Sequence, residues 1–131
     1  MNTAVLIALL TAHTWTTDCI MTQKDLHQGF VRESVSFSTE PSLKAHFATI
    51  WFHDENCSKP QGIISEKDAY LALGKPISPN KVEADFVMPN KTELGALEYN
   101  EFPKSVRMST NSFGQSRNTM VSIFHYFADS K

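Results

Sequence analysis

The chain has 131 residues, of which 41% are hydrophobic and 20% charged, with a formal charge of −2 at pH 7. That length suits one domain, and the composition excludes a disordered tail, a collagen-like chain and a disulfide-dense mini-protein. Near-neutral charge argues against nucleic acid or an anionic membrane as partner, because counterion release needs clustered Lys and Arg, and no apolar stretch approaches the roughly 20 residues of a membrane helix.

The first segment, Ala4–Ala12, is apolar apart from Thr11, and no charged side chain occurs before Asp18. Its length fits the apolar part of a secretory leader, but Met1-Asn2-Thr3 carries no basic side chain and no A-x-A precedes a cleavage point. Residues 1–16 therefore read in two ways, as a leader or as a buried element opening a single domain over 1–131. The poor flanks tip the reading to the second and to the cytoplasm, with a secreted or periplasmic protein as the alternative. Cys19 and Cys57 could close one loop in an oxidising compartment, or serve as small hydrophobes in a reducing one.

Phe30–Ser38 alternates, with Val31, Val35 and Phe37 against Arg32, Ser34, Ser36 and Ser38, which predicts a half-buried strand. Leu43–His53 fits either element. Thr39 and Pro41 resemble a helix start, and Leu43, Phe47, Ile50 and Trp51 fall at helical spacing, whereas a strand would load both faces with apolar residues. The start signals favour helix. Ser65-Glu66-Lys67-Asp68 resembles a capping box with Ile64 as staple, and Gly74 and Pro76 supply a stop, so residues 66–73 are predicted helical. Val82, Ala84, Phe86 and Met88 alternate with Glu83 and Asp85 as a strand, and Val106 and Met108 alternate with Arg107 and Ser109. Met120–Phe127, apolar or aromatic on most of both faces, reads as a central strand. The turn residues Asn111-Ser112-Phe113-Gly114 make these last two antiparallel neighbours.

The densest polar cluster is His53-Asp54-Glu55-Asn56-Cys57, but neighbouring residues on an extended chain point to opposite faces. With His13, His27, His46 and His125 scattered singly, no metal-ligand spacing emerges, and neither a metal nor another cofactor is expected. The absence of a glycine-rich phosphate loop removes dinucleotide and P-loop readings.

Together these signals predict an α+β domain: an antiparallel sheet of four to five strands with two or three short helices packed on one face. The function expected first is that of a small binding or interaction protein, such as an inhibitor, an immunity-type partner or an accessory factor, whose partner is another protein. The alternative is a small enzyme or ligand-binding protein in which a curved sheet encloses an aromatic pocket. Trp51, Phe86, Phe124 and Tyr126 would line that pocket, with His125 or His53 as its polar group; His53, Asp54, Glu55 and Cys57 remain as a separate polar cluster.

Overall fold

The computed structural model describes residues 2–24, 27–111 and 122–128. One helix, α1 (Thr3–Thr11), precedes nine strands: β1 (Thr14–Thr16), β2 (Ile20–Lys24), β3 (His27–Ser38), β4 (Lys44–Phe52), β5 (Pro60–Ser78), β6 (Lys81–Met88), β7 (Lys91–Glu101), β8 (Lys104–Asn111) and β9 (Ser122–Ala128). From β3 to β9 each strand pairs antiparallel with the next. The short β1 pairs with β3 on one side and β9 on the other, through Trp15↔Val35 and Trp15↔Ala128. Eight strands thereby close into an up-and-down barrel, while β2 pairs only with the first part of β3, outside the closure.

This corrects the expected α+β fold of four to five strands with several helices. The segment 66–73, predicted helical, lies within β5. Read with a period of two, it sends Ala69, Leu71 and Leu73 inward and Asp68, Tyr70 and Ala72 outward, with Ala69 and Leu71 buried and Tyr70 exposed. An eight-residue helix would have been marginal by itself. Pairing with β4 from Pro60 to Tyr70 and with β6 beyond it satisfies the same backbone and buries the same apolar side chains. Of the segment Leu43–Trp51, residues 44–51 are likewise strand rather than helix and form most of β4. Beyond Lys44 and His46 its outer face turns apolar, with Ala48 and Phe52 buried there too and Phe52 in register with Phe30.

The strands expected at Phe30–Ser38, Val82–Met88 and Val106–Ser109 are present as parts of β3, β6 and β8. The last expected strand appears as β9, antiparallel to β8, through pairs such as Val106↔Tyr126. Its predicted start at Met120, and the turn residues Ser112–Gly114, lie outside the described residues.

Apolar side chains fill the barrel rather than coat it: Trp15, Val35, Phe37, Ala45, Phe47, Leu71, Ala84, Phe86, Leu97, Tyr99, Val106, Met108 and Tyr126 form one buried cluster. The Trp15 and Tyr99 rings meet edge to face at 6.3 Å. Gly95 on β7 lets this interior close up, since a Cβ there would stand 2.4 Å from the Ser109 carbonyl oxygen and 2.8 Å from the Phe86 ring. Leu6 and Leu10 of α1 join the cluster at one end, beside the β5–β6 turn. No helix among the described residues is long and apolar enough to cross a membrane.

At the opposite end the first half of β3, the end of β4 and the start of β5 extend with β2 beyond the closed barrel as a projecting lip. A disulfide between Cys19 and Cys57 ties the lead-in to β2 to the β4–β5 loop. Cys57 holds a left-handed φ of 50° there, a conformation that disfavours residues bearing a Cβ.

Candidate functional site

At the barrel end away from α1 the described residues leave a small cavity. Its mouth is lined by Phe47 from β4, Ala69 from β5, Phe86 and Met88 from β6, Met108 and Thr110 from β8, and Tyr126 from β9. Three charged residues join this wall: Glu33 from β3, Lys67 from β5 and Glu93 from β7. The alternation of each strand places them, because every second residue points inward. About 40 Å³ remains free inside, room for roughly three waters on the usual allowance per molecule.

The charges sit against apolar surface, but each has a companion. The Lys67 ammonium lies 5.5 Å from the centroid of the Phe47 ring, within cation–π range. Glu93 accepts an ion pair from Lys91 at 2.9 Å. Glu33 stands beside the Tyr126 hydroxyl; burial chiefly, and the neighbouring carboxylate secondarily, push the Tyr126 phenol far above its ordinary value. The backbone of Glu33 is held from outside the mouth, its N–H donating to Thr17 Oγ1 at 3.0 Å and its carbonyl accepting from the Thr17 N–H at 2.9 Å. The mouth is thus an apolar cup with a two-signed rim.

Of the residues expected around an aromatic pocket, the structure brings Phe86 and Tyr126 together in this wall. Trp51 stands farther along β4, about 13 Å beyond Phe47 at the usual strand rise. Its ring lies across Gly29, where a Cβ would collide with it, and it borders a shallow cleft beside Gln61–Ile64. His125 points to the outer face, next to Phe127 at 4.5 Å between ring centroids, and its Nε2 meets no hydrogen-bond partner among the described residues. Phe124 belongs to β9, but its side chain lies outside the described residues.

The His53–Cys57 cluster forms a closed loop instead of a convergent site. Asp54 accepts from the Ser58 hydroxyl at 2.6 Å, the Ser58 N–H at 2.9 Å and the Lys59 N–H at 3.1 Å. These hydrogen bonds, the Ser58 hydroxyl foremost, hold its carboxyl down at about 2. His53 and Glu55 are exposed, and the Cys57 sulfur is consumed by the disulfide.

Sequence reasoning missed a third constellation, on the outer wall. His46 of β4 faces Asp68 and Glu66 of β5, with Nδ1 2.5 Å from an Asp68 oxygen and Nε2 3.2 Å from a Glu66 oxygen. Lys44 approaches Asp68 at 3.9 Å. The hydrogen bond to Asp68 leads in raising the His46 pKa above 6.5. The two ring nitrogens address different carboxylates, so the trio holds a proton rather than a common ligand; no metal-holding group of His, Cys, Asp and Glu occurs among the described residues. A β4–β5 pairing read with a period of two would have exposed this trio. The chain matches no protein-family model, no curated protein and no solved structure.

Proposed function

We propose that the protein binds a small amphipathic molecule at the barrel mouth, its short alkyl end inside the cup and its polar end at the rim. One observation carries the reading: strands β4, β5, β6, β8 and β9 send Phe47, Ala69, Phe86, Met88, Met108 and Tyr126 to one space that the described residues leave unfilled, with Glu33, Lys67 and Glu93 around it. Apolar walls with a few placed polar groups are what small-molecule sites require. The methionines can swing aside to enlarge a cup of this size. The closed Cys19–Cys57 bond supports an oxidising compartment as the place of work.

The test is a titration of methyl-¹³C-methionine protein with hexylamine, hexanoate and hexanol. Met88 and Met108 signals should shift while exposed Met21 stays still, and Ala69→Phe, which fills the cup, should abolish the shifts. The ranking of the three probes identifies which rim charge meets the polar end. Unmoved Met88 and Met108 signals at millimolar probe, or shifts that survive Ala69→Phe, would refute the reading.

Docking of another protein is the second reading, and it rests on the lip. Ile20, Met21, Ile63 and Ile64 are exposed there, and residues 60–69 of β5 pair with β4 but not with β6. An unpaired strand edge with apolar side chains can accept a partner strand. Cross-linking in cells that express the wild-type or the Ile63→Glu chain tests it, and identical adduct patterns would rule it out.

A further inference from the structure

α1 closes the barrel end opposite the mouth, yet it is built unlike a permanent wall. Leu6 and Leu10, one turn apart, are its two buried side chains, while Ala4, Val5 and Ala8 face water, Val5 with 46% of its surface exposed. No charged side chain occurs anywhere on it. A lasting surface helix carries a polar outer stripe, whereas a segment apolar on all sides is what a leader needs. Its fit is also incomplete, because a crevice of about 60 Å³ separates Leu6 from Gly74, Pro76 and Val82 at the β5–β6 turn. The polar link to the barrel is a hydrogen bond from the Trp15 indole N–H to the Leu10 carbonyl oxygen, 2.9 Å long and fully buried.

We propose that α1 is a stopper, and that its release uncovers a second site, for a medium-chain carboxylic acid. What α1 presents to the barrel is the buried side chains of Leu6 and Leu10, the half-buried Ile7 and Leu9 packed against the same cluster, and one carbonyl oxygen. Leu6 and Leu10 alone amount to about eight aliphatic carbons, so an alkyl chain of at least about that length replaces the fully buried part of what α1 covers. The Trp15 indole N–H, buried and left without Leu10, then calls for an acceptor, and a carboxylate oxygen supplies one. The site lies at the far end of the barrel from the mouth, roughly 20 Å away along β6 from Val82 to Met88, so it stands independently of the mouth reading.

The experiment keeps the chain whole during folding. A site-specific protease sequence is inserted between Ala12 and His13 and cut after folding, in a Trp51→Phe background that leaves Trp15 as the sole indole. The probes are decanoate and 10-bromodecanoate, whose bromine quenches an indole nearby. On the proposal, the cut α1 peptide separates from the barrel on gel filtration in decanoate. Bromodecanoate then quenches Trp15 at a concentration at least about tenfold lower than in the uncut chain. Adding Ala69→Phe at the mouth leaves this quenching unchanged. An uncut Leu6→Ser/Leu10→Ser chain, in which the stopper is loosened without an insertion, should also quench at lower concentration than its parent.

Three results would overturn the proposal: a cut peptide that stays bound in millimolar decanoate, loss of the sheet's circular dichroism on cutting, or equal quenching before and after the cut. Quenching that Ala69→Phe abolishes would overturn it as well, because the probe would then be entering through the mouth.

Discussion

Reducing the Cys19–Cys57 bond should cost this protein a large part of its stability, through the unfolded chain rather than the folded one. The two residues are 38 apart in sequence, and loop-closure entropy for a loop of that length corresponds to about 4 kcal/mol at 25 °C. Few native contacts need be lost. The segments that the bond encloses remain paired through β2–β3 and β3–β4, and the β4–β5 loop keeps its hydrogen bonds to Asp54. The assay is urea unfolding of the oxidised protein, of the same protein in reductant and of a Cys19→Ser/Cys57→Ser variant. With a slope of about 2 kcal/mol per molar urea, the midpoint should fall by about 2 M. The slope itself should rise, because the reduced chain expands further on unfolding. A stability loss below about 1 kcal/mol in both reduced forms would refute the reasoning. It would show that the unfolded chain already keeps these segments together.

Further outcomes follow from close packing and from charge. Gly95→Ala places a Cβ against the Ser109 carbonyl and the Phe86 ring and should cost about 1–3 kcal/mol by overpacking. Gly62→Ala meets nothing within 4 Å and should be close to neutral, so equal melting temperatures for the two variants would contradict the packing described. His46→Gln should show its effect in acid. The folded imidazole holds its proton more firmly than the unfolded chain, whose value is near 6.5. Its contribution is therefore complete below that value and is lost as pH rises through the higher folded value. On so exposed a trio the gap between wild type and variant should be a few tenths of a kcal/mol, present at acid pH and gone in alkali. Melts that differ more at alkaline than at acid pH would reverse the sign and disprove the ion-pair reading.

The mouth and the stoppered end give the barrel two unlike ends. One combines charges of both signs with an enlargeable apolar cup; the other is sealed by apolar side chains on a helix without a polar face. The two tryptophans fall at these two ends, Trp15 beneath α1 and Trp51 on the lip. Fluorescence of single-tryptophan variants can therefore report on each end separately.

Alternation of apolar and polar residues was legible in β3, β6 and β8, because one face of each of these strands is apolar and the other largely polar, although in β8 the outward Ser105 and Ser109 are buried as well. The same periodicity already implied that His125 and Tyr126, as neighbours on one strand, could not line the same pocket, and the barrel separates them accordingly. β4 was ambiguous because Ala48 and Phe52 bury its outer face as well, which erases the alternation. In β5 the Ser65–Asp68 start and the Gly74 stop spoke for a helix. Those local preferences amount to a few tenths to about 2 kcal/mol each, and pairing along a nineteen-residue strand, first with β4 and then with β6, outweighs them.

What the sequence determined by itself was the inward face of β3, β6 and β8, with Val35, Phe37, Ala84, Phe86, Val106 and Met108, since that follows from local periodicity; Trp15 of β1 and Leu97 and Tyr99 of β7 were not foreseen as inward-facing. Closure of the barrel was decided by tertiary structure, through three residues of β1, Thr14–Thr16, that carry too short a pattern to predict and that pair with strands distant in the chain. The assembly of the mouth depends on that same closure, whereas the His46–Asp68–Glu66 trio and the joining of the two cysteines need the registers of neighbouring strands, β4 with β5 and β2 with β3 and β4. A register is set only when the sheet has chosen which face to bury.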